Sequence, residues 1–532
     1  MSLMDGTYGM QTGIKNYRDL YKAGLGQYNS LYERLVFDAN GGYHTERYQL
    51  SDGSLWNKTT DNFRQNHNIL SGAWNISQEW SATASLHYTH GYGYYDEFRY
   101  HNKLKKYGLS NIIDSEGNTV KVSDFVRKKG MTQDAYGAVA NVKYRGERFD
   151  MVAGFSTQMF KANHFGYLTY VGDATLREQL LSHGDYQYYD SDADKLDANV
   201  YAKATYHLST AWDVFADMQY RHVRYKTDGV NDKFIDNGDG TYSNQQLDIN
   251  QNYNFYNPKG GISFSQGNHH AYASFAMSNR EPERNNFTDN GAYPAPKAER
   301  LFDYEAGYNY QESDYRFGLN LYYMDYKDQF VKTGQVSDIG EALTTNIKKS
   351  YRMGLELSFG CDITSWLSLD ANMALSSNRI KDFDEYVEVD FGDGETRVLH
   401  YGSSTLAFSP RHISNGFVDF HYNGFRAVWH SQYVSRQYLD NTENRDRALP
   451  SYSVSNISMS YTSKVTKALG MKEVELGLDI NNIFSRRYAS SGWVYSTILE
   501  EYGNHPNDNR YYQIGFIPAA GCTAMAHLTL RW

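Results

Sequence analysis

A two-residue periodicity, recurring in segments of roughly ten residues from about residue 65 onward, limits this chain to extended strands with two unlike faces. Ala82, Ala84, Leu86 and Tyr88 alternate with Thr83, Ser85, His87 and Thr89, and Ala198, Val200, Ala202 and Ala204 with Asp197, Asn199, Tyr201 and Lys203. Phe302, Tyr304, Ala306 and Tyr308 do the same against Asp303, Glu305, Gly307 and Asn309, as do Leu367, Leu369, Ala371 and Met373 against Ser368, Asp370 and Asn372. Near the end, Val474, Leu476, Leu478 and Ile480 alternate with Glu475, Gly477, Asp479 and Asn481.

Such a pattern fits an apolar face against lipid or against a second sheet, and period alone does not separate the two. The spacers do. Short ones (77–79, 145–147, 209–210, 311–314, 362–365 and Asn423-Gly424) alternate with long ones (94–133, 160–194, 228–248, 279–299, 328–343, 381–404, 437–450 and 488–520). Tight turns at one end and large loops at the other describe a transmembrane antiparallel β-barrel, and a sandwich has no reason to segregate its loops in this way. Asn423-Gly424 is a favoured two-residue hairpin turn.

About seventeen strands are counted in residues 66–532, which leaves 1–65 as an outer-loop segment before the first of them. Single-chain bacterial barrels have an even strand number and must close, so the odd count marks an incomplete piece.

Composition agrees. With 40% apolar residues and a mean hydropathy of -0.69, no run of 18 uncharged apolar residues occurs, which excludes spanning helices. The 49 Tyr, 26 Phe and 8 Trp, with 44 Gly and only 8 Pro, suit strands and aromatic girdles. A net charge of -10 argues against a nucleic-acid partner, which needs a basic face. Cys361 and Cys522 are too few for a disulfide framework or zinc site and read as small strand residues. Met1 to Gly6 carries no secretory signal.

Several segments resemble the barrel of TonB-dependent outer-membrane receptors. They are Asp61 to His67, His87 to Glu97, Arg280 to Phe287 and Asp303 to Tyr308. The most specific are Asp479-Ile480-Asn481-Asn482-Ile483-Phe484-Ser485-Arg486-Arg487-Tyr488, similar to the penultimate strand, and Ala524 to Trp532, similar to the closing strand with its terminal aromatic. The resemblance implies part of a 22-stranded barrel in a Gram-negative outer membrane, about five strands short. It also implies outer-membrane lipid, the barrel-assembly machinery and a small nutrient ligand as partners. The family's TonB box and plug have no counterpart here, so coupling to TonB belongs to a presumed parent protein.

No zinc-protease helix motif, P-loop or nucleophile elbow occurs, so no catalytic residue, cofactor or metal ligand is assigned. Asp236 to Gly240 and Gly392 to Glu395 lack the full set of calcium ligands and read as turns, and His269-His270 is read as a solvated turn. The candidate ligand-binding residues are Tyr94, Tyr95, Arg99, Arg280, Arg284, Trp493 and Tyr495, in the long loops. Aromatic faces grip flat ligand parts and arginine forks hold carboxylates, as an iron chelate, haem or a corrinoid would require. Tyrosines near strand tips also form interfacial girdles. A passive porin and a surface adhesin barrel stand as alternatives to the receptor.

Overall fold

The computed structural model describes residues 29, 31–37, 43–114, 116–290, 293–336, 342–389, 396–464, 470–499 and 511–532. Its long strands are β1 (Thr60–Asn75), β2 (Trp80–Lys103), β3 (Val122–Arg145), β4 (Phe149–Val171), β5 (Tyr186–His207), β6 (Trp212–Asp236), β7 (Tyr242–Gln266), β8 (His269–Arg280) and β9 (Glu299–Gln311). They continue as β10 (Tyr315–Val336), β11 (Ala342–Thr364), β12 (Leu367–Ile380), β13 (His412–Tyr422), β14 (Phe425–Val434), β15 (Tyr452–Lys464), β16 (Glu473–Asn481) and β17 (Thr523–Arg531). With the two-residue strand Ser404–Thr405, which pairs with the tip of β12, they belong to one sheet ordered as a closed barrel. Among the described residues the seventeen strands expected from periodicity are recovered, with β1 starting at Thr60 rather than 66, and the sheet is ordered as closed although the odd count implied an open piece.

The chain divides into two units. One holds Gln27–Ala204 and Asp217–Asn257, the other Thr205–Ala216 and Pro258–Trp532. In the first, β2 and β3 pair from Trp80↔Tyr144 to Arg99↔Phe125, so Ala82, Ala84, Leu86 and Tyr88 share a face with Ala138, Ala140 and Val142. Leu86 is 58% exposed, as expected of a side chain that meets lipid rather than a protein core. In the second unit the same face carries Leu321, Met353, Leu375 and Leu528, all likewise exposed.

Aromatic rows bound this apolar band. Trp80 and Tyr144 lie with ring centroids 4.9 Å apart at the short-turn end, and Tyr88 and Tyr136 face each other eight residues along their strands (80 to 88, 136 to 144). The second unit repeats the interval from Tyr315 to Tyr323. Eight residues cover about 26 Å of strand, or roughly 20 Å once tilted, close to the apolar height of an outer-membrane barrel.

Strands of about 9–11 residues cross a membrane, yet β2 to β7 run 22–25. The expected long loops at 94–133, 160–194 and 228–248 are therefore largely strand, whereas 279–299 and 437–450 are not: in the former, pairing continues past the lipid, where both faces turn polar and the periodicity fades. Other corrections are local. The turn placed at 362–365 is Ser365-Trp366, His269 and His270 open β8 instead of lying in a turn, and Cys522 sits at a bend before β17, whereas Cys361 lies within β11.

Residues 1–28 of the expected outer-loop segment lie outside the described residues. What is described includes a hairpin of Glu33–Phe37 with Tyr43–Arg47, after which Tyr48 and Trp56 pack on Phe98 and Val126, on the outer face above the aromatic row.

The Asn423-Gly424 turn has both central residues at positive φ (48° and 82°), the type I′ geometry that matches strand twist. A Cβ on Gly424 would clash with the Thr462 carbonyl oxygen. Gly424→Ala is expected to destabilise by about 1–3 kcal/mol, from left-handed strain and that clash, read as a lowered urea midpoint with unchanged slope. Ala84→Arg, on the lipid-facing side of the band, should cost roughly 2–4 kcal/mol, against less than about 1 kcal/mol for Ser85→Arg on the other face. Equal costs would refute the assignment of faces.

Candidate ligand-binding loops

In the first unit the inner faces of β2 and β3 oppose Tyr95 to Lys129, Glu97 to Arg127 and Arg99 to Phe125. A 3-10 turn at Leu104–Tyr107 and the helix α1 (Ala174–Leu181), capped by the Asp173 side chain on Leu176 N, fold over this row. Leu104, Tyr107, Phe125, Leu168, Leu176 and Tyr188 form the apolar cluster that results.

Arg127 is buried beneath it and pairs with the Glu97 carboxylate. Burial alone would depress its guanidinium pKa; Glu97 raises it instead. Arg99 stands 3.1 Å from Glu97 and keeps a third of its side chain exposed, and Lys129 pairs with Asp232. The hydroxyls of Tyr107 and Tyr188 are buried without a hydrogen-bond partner. Desolvation pushes the Tyr107 pKa up to about 12 and that of Tyr188 well above the ordinary range. Tyr94 is different. It shares the outer face with Tyr88 and Tyr92, its ring 5.7 Å from Tyr92 and 4.7 Å under the Lys128 ammonium, so it belongs to the interfacial aromatic row and not to the inner face.

In the second unit Arg280 ends β8 with its guanidinium 5.0 Å over the Phe330 ring and 3.8 Å from Glu299. Glu299 accepts from Phe330 N at 2.6 Å, and its burial raises its pKa. Arg284 opens the one-turn helix α2 (Arg284–Thr288), whose Glu283/Asn286 capping box satisfies both ends of the first turn. Trp493 and Tyr495 lie on Ala489–Ile498, one member of a four-stranded loop sheet with Phe383–Val389, Thr396–Tyr401 and Tyr511–Pro518. Trp493 lies flat on Gly515, where any Cβ would strike its ring. Tyr495 donates to Glu388 at 3.2 Å, and burial with that carboxylate pushes it up to about 12.

The 435–451 connection ties these loops together. Asn441, 1% exposed, accepts from Ala407 N at 2.9 Å and donates to the Lys332 carbonyl at 2.8 Å. Glu443 accepts from Thr405 N, and the fully buried Arg447 reaches Asp440 at 3.2 Å and Thr442 at 2.7 Å. Leu439 and Leu449 pack with Val494, Ile514 and Phe516.

Sequence reasoning missed Glu97, Arg127, Glu299, Phe330 and this connection. Alternation carried forward from Leu86 would have placed Glu97 beside Tyr95 and Arg99; nothing local announces the others. The turn at Asp236 to Gly240 behaves as expected, with Asp236 accepting from Gly238 N and Asp239 from Thr241 N, while Gly392 to Glu395 lies outside the described residues. His269 bonds Tyr308 Oη at 2.8 Å. Among the described residues no three His, Cys, Asp or Glu converge as a metal site.

The family described as TonB dependent receptor-like, beta-barrel matches residues 6–483. No curated protein matches. Among solved structures, the ferric-catecholate import receptor Fiu from K12 E. coli aligns with TM-score 0.59 at 14% identity, over 91% of this chain and 66% of that one. The ferric yersiniabactin uptake receptor FyuA from Yersinia pestis gives 0.58 at 14% identity, over 90% and 63%, and the copper transporter OprC 0.56 at 12%, over 94% and 76%. The chain therefore spans slightly less than two thirds of the length of the two iron-chelate receptors.

Glu97→Gln strands the Arg127 charge under its apolar cover and is expected to cost roughly 3 kcal/mol of stability. Because the folded pKa of Tyr107 lies near 12 and an unfolded tyrosine titrates near 10, the fold binds the extra proton between them, so stability is intact below pH 10 and falls as pH rises toward 12. Tyr107→Phe should flatten this alkaline loss by about 2–3 kcal/mol in denaturant titrations at successive pH values.

Proposed function

We propose, from the premise that the chain belongs to the TonB-dependent receptor-like β-barrel family, that it is the barrel of a Gram-negative outer-membrane receptor. Its outer loops capture a scarce anionic nutrient, with a metal chelate of the siderophore class as the leading ligand. In this reading a plug in the whole protein couples release to TonB, lipid surrounds the band between the aromatic rows, and the assembly machinery inserts the barrel by its closing strand, Thr523–Arg531.

The observation that carries the reading is Arg280, half-exposed and backed by the Phe330 ring with only a distant carboxylate at Glu299. A guanidinium placed over an aromatic face, with no hydrogen bond from it among the described residues, suits a carboxylate or phenolate arm of a chelate. Trp493 and Tyr495, on the loop sheet of the same unit, supply further contacts of the same chemistry, and Tyr95 and Arg99 offer that chemistry separately within the first unit. Arg284 joins them through the helix it begins. The similar structures are receptors for iron chelates and a transporter of copper, which supports a metal-bearing cargo without selecting one.

Calorimetric titration of the detergent-folded chain with ferric catecholate, hydroxamate and citrate complexes tests this. Arg280→Ala is expected to weaken the bound chelate about tenfold or more, and Tyr94→Ala to leave it unchanged. Absence of binding by every chelate, with steady ion conductance in planar bilayers, would favour the passive channel instead. Binding without uptake by cells that make the whole protein would favour the adhesin.

A further inference from the structure

The outer face of the second unit carries a row of like charges that strand pairing alone does not explain. Arg300 lies directly opposite Lys327, Lys327 directly opposite Lys349, and Lys381 donates its backbone N–H to the Lys349 carbonyl at 3.0 Å. All four side chains are exposed. Like charges facing across a ladder destabilise it, and in a chain of net charge -10 such a row is not a by-product of composition.

Alternation places the row on the lipid-facing side, just beyond Tyr304, Tyr323 and Tyr351, whose rings follow one another at 6.4 and 6.1 Å. The Lys381 ammonium stands 5.6 Å from the Tyr351 ring. Asp325, opposite Tyr351, is an acid on this face one pleat below Lys327, and Glu443 is shared by Arg379 at 3.4 Å and Arg411 at 3.8 Å. Four cations against the single Asp325 leave the row, among the described residues, with a net positive charge at headgroup height.

Beneath it a groove of about 630 Å³ opens on the same face, lined chiefly by Tyr304, Leu321, Tyr323, Met353 and Leu375. Arg411, 64% exposed, stands at its upper end, level with Ser376, whose N–H it accepts. An apolar slot headed by cations matches one occupant: a lipid with several phosphates on its headgroup.

We propose that this face binds a polyphosphorylated lipid of the outer leaflet, its phosphates on Arg300, Lys327, Lys349 and Lys381 and an acyl chain in the groove. The proposal rests on the membrane-spanning geometry and not on the receptor reading. Cations at a membrane surface gain roughly fivefold in affinity each. Native mass spectrometry of the full chain, folded in a neutral detergent, should detect retained bisphosphorylated lipid A in preference to phosphatidylcholine. Lys327→Gln with Lys349→Gln should lower lipid A retention about thirtyfold and leave phosphatidylcholine unchanged. The heat-dependent gel shift of a folded barrel verifies that the variant is intact; should it fail to fold, Lys349→Gln alone is expected to lose about fivefold. Retention equal to the unaltered chain overturns the proposal, as does full displacement by millimolar inorganic phosphate, which would mark a site for free anions.

Discussion

In a hydrocarbon layer each peptide N–H and C=O must find its partner within the protein, and here the neighbouring strand supplies it along nearly every described span. That requirement fixes strand register, and register fixes faces, because a slip of one residue would turn every lipid-facing side chain inward. The exposed leucines, the two aromatic rows and the polar inner face all descend from it. So does the continuation of β2 to β7 beyond the membrane, where the same ladder serves as the wall on which the loops are built.

The two faces manage charge differently. On the inner face cations find carboxylates across the ladder: Arg221 grips Asp197 with both arms, Arg426 does the same to Asp419, and Arg531 reaches Glu475 at 3.3 Å. Pairs of this kind contribute little individually, but they neutralise these cations within the protein. The outer row from Arg300 to Lys381 departs from that habit, which is why a partner outside the protein is the economical explanation for it.

Alternation made the barrel, its lipid face and the number of strands readable from residues alone, because period two is imposed directly by burial on one side. It failed where that pressure ends. Past Tyr92 both faces of β2 meet water or loop, so the run read as a loop although it is strand to Lys103. Tyr94 and Tyr95 look equivalent as neighbours in an aromatic segment, yet pleating sends one outward beneath Lys128 and the other inward opposite Lys129. Arg280 and Arg284 were legible as loop arginines, but Phe330 and Glu299, which give Arg280 its setting, come from other strands and leave no local mark. The 435–451 connection has the look of a polar, dispensable loop; its importance comes from the buried Asn441, which bonds two other segments, and from the buried Arg447, which holds the connection's own fold.

That connection has an evolutionary consequence. Since a single asparagine amide bridges two other loops, and leucines on either side of it support a third, the outer surface of this unit cannot diversify one loop at a time. A change in cargo preference must arise either from side chains projecting off the shared framework or from wholesale exchange of the interlocked set, so grafting one hypervariable segment from a cousin would unseat its neighbours before it altered recognition.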